Sequence, residues 1–255
     1  MVTVFILCAG SGDRWCNYLG VPKQLLSFGG ETLVDRTARL VQERDQRRTY
    51  CVTRDSRVFS SRCEHLFVNP TESILATVLA TRRYWGARNV FLLGDVFYSR
   101  RAMGAILGCR RALVFWGRPW PSALVQCGHG EIFGLSFEAA AERQVCDLVA
   151  RGLSIASSAS QTNLWNLYQL AGGLPLGSSR YLPNLLVPID DYTNDIDTAT
   201  DYQRRRRLYD CISTGSEPSL AVSFRSLVSR PKHWYGRLQW QFVNQSVRRK
   251  VEVTI

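Results

Sequence analysis

The chain has 255 residues, 45% of them hydrophobic, and a formal net charge of +11. That apolar content is enough for a sizeable core, and no run of about 18 apolar residues is present to span a membrane. No basic segment followed by a long apolar stretch opens the chain, so a soluble cytoplasmic protein without a secretory leader is expected.

The elements alternate along the first half. Apolar runs rich in Val, Ile, Leu and Phe predict strands at residues 2–8, 49–53, 65–68, 89–93 and 112–116. Amphipathic runs predict helices at about 31–44 and 72–85. Short buried strands alternating with helices argue for a parallel sheet covered on its faces. Residues 121–127 and 131–137 read as a strand pair around "CGHGE", followed by helices at 138–151, 162–172 and 198–212. A break falls at Ser216 to Pro218. The tail after it, residues 219–255, carries Trp234, Tyr235, Trp240 and Phe242 among basic residues. The expected division is a domain over residues 1–215 and an extension over 216–255, whose aromatics are expected to pack on the domain or on a second subunit.

The charge comes almost entirely from arginine, with only Lys23, Lys232 and Lys250 as lysines. A basic excess suits anionic partners, nucleic acid or phosphorylated small molecules, without choosing between them. Arg204 to Arg207 fall in a predicted helix, which spreads their charges around its axis. RNP-type aromatics and a helix-turn-helix pattern are missing, so nucleic acid is not the expected partner. The eight cysteines form no CxxC pair and show no zinc spacing with histidine, and several lie in apolar runs. Reduced structural thiols are expected rather than a disulfide framework or a metal centre.

The loop after the first strand, "CAGSGDRW", is where an open α/β sheet places its ligand. Gly10 and Gly12 let the backbone approach an anion or a base edge, though a tight turn alone would also account for them. The spacing is neither a P-loop nor a dinucleotide fingerprint, whose third glycine position is held by Trp15. Arg14 can fork across phosphate oxygens, and Lys23 offers a compact point charge. Lys23 follows Pro22 and is the only lysine in the first 231 residues, which suggests a task that an arginine fork would not serve.

"LCAGSGDRW" followed by "PKQLLSFGGETLVDRT" resembles the signature of the sugar-nucleotide pyrophosphorylase and MobA-like NTP transferase superfamily. Cys8 and Trp15 depart from its common form. "NPTESILATVLATRRYWGARNVFLLGDVFYS" and "NDIDTATDYQRRR" resemble two further segments of it, with Ala199 at a proline position. The resemblance spans about residues 1–212. It implies a Rossmann-like three-layer α/β/α fold with a mostly parallel central sheet, followed by the C-terminal extension. It also implies a magnesium-dependent nucleotidyltransferase of sugar nucleotide biosynthesis. Such an enzyme moves NMP from an NTP to a small phosphorylated acceptor, foremost a sugar 1-phosphate. By the same resemblance Leu7, Cys8, Ala9, Gly10, Ser11, Gly12, Arg14, Asn69 and Ser73 surround the nucleotide. Arg14 and Lys23 are then catalytic, and Asp95 and Asp197 hold Mg2+, with Asp195 as the alternative to Asp197.

The residues permit that chemistry. Arg14 can neutralise the departing phosphates, and two carboxylates can hold a cation against phosphate oxygens. A phosphate acceptor is already ionised near neutral pH and needs no general base. Asp95 and Asp197 could instead cap helices. An EF-hand reading of Asp195 and Asp197 fails for want of the loop glycine and the closing glutamate. Arg100, Arg101, Arg118, His129, Glu131, Trp165 and Asp191 are candidates for the acceptor pocket, each with a structural role as the alternative. A cytidylyltransferase for an alcohol phosphate or phosphonate stays open, as do a non-catalytic nucleotide binder and a homo-oligomer.

Overall fold

The structure is a computed structural model that describes residues 2–10, 15–44, 48–69, 73–122, 125, 130–156 and 163–213. Met1–Asp210 forms one compact unit and Cys211–Ile255 a second. The extension expected at 216–255 lies outside the described residues. So do Ser11, Gly12, Arg14 and His129.

The strands are β1 (Val2–Leu7), β2 (Ser27–Phe28), β3 (Glu31–Thr32), β4 (Arg48–Thr53), β5 (Glu64–Phe67), β6 (Arg88–Leu93), β7 (Val96–Phe97), β8 (Leu113–Arg118), β9 (Glu131–Glu138), β10 (Leu186–Pro188) and β11 (Asn194–Asp195). The helices are α1 (Leu33–Gln42), α2 (Ile74–Ala80), α3 (Arg100–Gly108), α4 (Glu142–Ala156), α5 (Leu164–Ala171) and α6 (Ala199–Ser213). Seven strands make one sheet in the order β10-β8-β9-β6-β1-β4-β5. Only β9 runs against its neighbours, so the mostly parallel α/β/α sandwich stands.

Alternation along the strands builds two apolar faces. On one, the rings of Tyr50, Phe5, Phe91 and Phe137 form a stacked row across β4, β1, β6 and β9. That row packs under α2, α4 and α5 through Leu75, Val145, Leu148, Leu164 and Leu167. Truncating one such ring to alanine would cost about 3–5 kcal/mol. On the other face Val4, Val90, Leu92, Val114 and Trp116 meet α1 and α3 through Leu40, Val41, Met103 and Ile106. No described helix is long and apolar enough to cross a membrane.

The structure adds to the sequence expectations at three points. Of the pair expected at 121–127 and 131–137, residues 123, 124, 126 and 127 lie outside the described residues. Residues 131–137 form β9, which inserts between β8 and β6 and pairs with both. A helix unpredicted from the sequence, α3, follows Ser99, whose hydroxyl accepts the Ala102 N–H at 2.8 Å as an N-cap. Lys23, directly after Pro22, begins a 3-10 turn, Lys23–Leu25, and is buried.

Candidate active site

Strand order reverses beside β1, which lies between β6 on one side and β4 on the other. The carboxyl ends of these parallel strands form the crevice where open α/β sheets bind ligands. Leu7, Cys8 and Ala9 leave β1 buried, and Gly10 surfaces. The Cys8 N–H is already donated to the Val52 carbonyl at 2.7 Å, and the Leu7 carbonyl accepts from Gly94 at 2.9 Å. This part of the loop is therefore stitched to both neighbours.

Gly94 must be glycine for this approach. A Cβ there would lie 2.5 Å from Cys8 Sγ and 2.8 Å from the Leu7 oxygen. The turn that follows carries Asp95, and Tyr98 fastens it. Its hydroxyl accepts the Leu93 N–H at 2.9 Å and donates to the Phe133 carbonyl at 2.6 Å. Arg36, from α1, donates to the Tyr98 carbonyl at 2.6 Å and lies over the Phe97 ring. Burial lowers that guanidinium to about 10.

Asp197 comes from far along the chain. The two-residue strands β7 and β11 pair antiparallel, and the Ile196 N–H donates to the Asp95 carbonyl at 2.9 Å. This small ladder places Asp195 and Asp197 beside Asp95.

Lys23 lies between the two carboxylates. Its ammonium donates to Asp95 Oδ2 at 2.7 Å and to Asp197 Oδ1 at 3.1 Å. Burial pulls its pKa down, but Asp95 and then Asp197 more than offset this, so it is raised overall and the lysine stays charged. Asp195 behaves oppositely. Burial pushes its carboxyl up to about 9, and the charges of Glu131, Asp197 and Asp95 add to that. It is held protonated at neutral pH beside Asp197.

One apolar cluster explains why these three segments meet. Trp15, Leu26, Phe28, Leu33, Phe97, Ile196 and Tyr202 pack together. They come from the chain around Lys23, the turn after Asp95 and the chain around Asp197. Trp15, the residue that departs from the common signature, also donates its indole N–H to the Val21 carbonyl at 2.9 Å. It thereby closes the bend that returns the chain to Pro22 and Lys23. Cys16, Asn17 and Leu19 take left-handed backbone conformations within that bend.

Beside Lys23 is a cleft of about 150 Å³ lined by residues including Cys8, Gly10, Trp15, Gln24, Arg54 and Arg57. A larger depression of about 380 Å³ lies between α1 and α3, against Glu43, Arg44 and Arg100. It is remote from the carboxylates, and the smaller cleft is where the chemistry gathers. Arg54 and Arg57 escaped the sequence reading. Their position directly after β4, at the same sheet edge, was the available signal.

Of the other expected residues, Asn69 is exposed and Ser73 caps α2, its hydroxyl accepting the Ala76 N–H at 3.2 Å. Loss of that cap in Ser73→Ala should lower stability by about 1 kcal/mol, read as a shift in the denaturation midpoint. An accompanying loss of nucleotide affinity would show whether Ser73 also meets the ligand.

The acceptor candidates divide. Arg118 is buried and donates to Asn194 Oδ1 at 2.7 Å and to the Thr193 carbonyl, so it is tied into the segment leading to β11. Asp191 accepts from Ser99 Oγ and, at 2.7 Å, from the Thr193 N–H. Arg100 is exposed and pairs with Glu43 at 3.2 Å. Arg101 is exposed on α3. Trp165 packs on Tyr168 at the rim of the core. Among the described candidates, Glu131 is the one whose charge acts on Asp195.

Comparison with known proteins bears on the domain and the fold. Residues 4–114 match the family model of the MobA-like NTP transferase domain. Over those residues the chain matches a nucleotidyltransferase domain, and its fold recurs in solved structures of nucleotidyltransferases. A nucleotidyl transferase from Methanothermobacter thermautotroptrophicus superposes with a TM-score of 0.59 at 18% identity, covering 83% of this chain and 99% of the other. The inositol-1-phosphate CTP transferase from T. maritima gives 0.57 at 14% identity, covering 84% and 96%. The 2-C-methyl-D-erythritol 4-phosphate cytidylyltransferase from Thermus thermophilus gives 0.54 at 16%, covering 82% and 98%. No curated protein sequence matches the chain.

Proposed function

We propose that this nucleotidyltransferase moves NMP from an NTP to a small phosphorylated acceptor, a sugar 1-phosphate foremost, and releases pyrophosphate. The observation that carries the reading is Lys23, buried between Asp95 and Asp197 at the sheet's switch point. An oxygen of the acceptor phosphate attacks the α-phosphorus. The bond from that phosphorus to the bridging oxygen of the β-phosphate breaks, and pyrophosphate carries away the electron pair. The acceptor is already ionised, so no side chain has to remove a proton. The residues needed are those that offset repulsion between two polyanions.

Lys23 is the cation for the α-phosphate or the acceptor phosphate, and Arg14, from the glycine loop, for the departing phosphates. Leu7, Cys8, Ala9, Gly10, Ser11 and Gly12 are assigned to the floor for the nucleotide, with Asn69 and Ser73 from the segment between β5 and α2. The donor set beside Lys23 is hard and anionic, and both carboxylates already converge on one positive atom, which fits a magnesium ion. Asp95 and Asp197 would hold it, and it would supply charge neutralisation at the phosphate oxygens. Asp195 is suited to orient Asp197, because its protonated carboxyl can donate a hydrogen bond to it.

A second reading, cytidylyl transfer to an alcohol phosphate, draws support from the names of the two CTP-using neighbours. One assay addresses both. Four NTPs are tested against a panel of sugar 1-phosphates and alcohol phosphates in the presence of Mg2+, reading pyrophosphate. Release with one NTP and a sugar 1-phosphate supports the first reading. Release only with CTP and an alcohol phosphate moves the assignment to the second. Silence across the panel, with NTP binding intact, would favour a nucleotide-binding protein on this fold.

A further inference from the structure

A second cluster of ligand-type side chains lies under α1, on the opposite sheet face from the aromatic row. β4 and β5 pair in parallel with Cys51 opposite His65, and Cys63 stands just before β5. One donor atom from each of Cys51, Cys63 and His65 lies within 4.8 Å of the other two. Cys51 is fully buried, whereas Cys63 and His65 are partly exposed, which leaves a way in for an ion. We propose that Cys51, Cys63 and His65 form a site for a thiophilic divalent cation of the zinc type.

The chemistry of the surroundings selects that class. Two thiolates and a neutral imidazole around a divalent ion sum to zero charge. A neutral complex is what an apolar pocket lined by Ile6, Val34, Ala38 and Val58 can hold. Soft sulfur donors with one imidazole favour zinc over the hard magnesium suited to Asp95 and Asp197. His65 is partly buried beside the two cysteines. Its Nε2 lone pair accepts the Ser60 N–H at 3.1 Å, and the ring stacks on Phe59 at 4.5 Å. A cation binding through Nε2 would displace that N–H.

Cys8 lies in the same apolar cluster as Cys51 but outside the set of donors that converge. It is also the residue that opens the nucleotide loop, with its sulfur against Gly94. The sequence conceals this set. Cys51 is fourteen positions from His65, and only strand pairing makes them neighbours.

The test is titration of the full-length protein, reduced with a non-thiol phosphine, with Co2+. Expected are one equivalent bound, a thiolate-to-cobalt charge-transfer band, tetrahedral visible bands and displacement of both by Zn2+. Cys63→Ser and His65→Gln, both near the surface, should each weaken binding by more than about 100-fold, while Cys146→Ser leaves it unchanged. Absence of the charge-transfer band, or its persistence in Cys63→Ser, would overturn the proposal. So would peptide mapping of freshly isolated protein that finds Cys51 and Cys63 joined in a disulfide.

Discussion

Lys23→Ala is expected to lower turnover by about 100-fold or more, as loss of a preorganised cation aimed at a transferring phosphate does. It is also expected to cost stability. The side chain is buried, and its removal leaves Asp95 and Asp197 facing each other without compensation. Both carboxylates retain some contact with water, which holds the cost to on the order of 1–3 kcal/mol. Mg2+ should then raise the melting temperature of Lys23→Ala more than that of the parent, because the ion can take over the lost compensation. Lys23→Arg should keep the charge and most of the stability but not the rate, since a planar fork cannot reproduce a point ammonium between two carboxylates. Pyrophosphate release and thermal melts, with and without Mg2+, check all three statements. A folded Lys23→Ala protein with unchanged turnover would take Lys23 out of the reaction.

The parts legible in the sequence were those governed by local pattern. β1, β4, β5, β6 and β8 are short apolar runs between polar breaks, and each appears within about one or two residues of where the pattern puts it. Lys23, Asp95 and Asp197 stood out by residue type and by signature. What the sequence could not carry was pairing between distant segments. Nothing local in "EIFGLSFE" tells that β9 reverses direction between β8 and β6. β7 and β11 are two residues each, too short for any period, yet their ladder brings Asp197 to Asp95. α3 was missed because Arg100 and Arg101 open it, although its Ser99 cap was readable. Arg118 looked like an acceptor-binding cation because charge alone cannot tell a surface arginine from one locked onto the Thr193 carbonyl and the Asn194 side chain.

Asp95→Asn and Asp197→Asn should each reduce turnover by about 1000-fold or more while leaving the nucleotide bound. The magnitude follows from removing charge stabilisation worth several kcal/mol at the transferring phosphate. Asparagine preserves shape and one acceptor oxygen, so Lys23 keeps a hydrogen bond at each position and the fold should persist. Base and ribose contacts are assigned to residues 7–12, Asn69 and Ser73, away from the carboxylates. Calorimetry with a non-hydrolysable NTP should therefore show affinity within about tenfold of the parent in the absence of Mg2+. Addition of Mg2+ should tighten binding to the parent and have little effect on either variant. Asp195→Asn serves as the discriminating comparison. Its carboxyl is already held protonated by burial and by its acidic neighbours, so replacing it with a neutral amide should cost far less than either of the others. If Asp195→Asn proved as damaging as Asp197→Asn, the second metal ligand would be Asp195. If both Asp95→Asn and Asp197→Asn kept their turnover, the carboxylate pair would be a structural partner of Lys23, and the case for metal-assisted transfer at this site would fall.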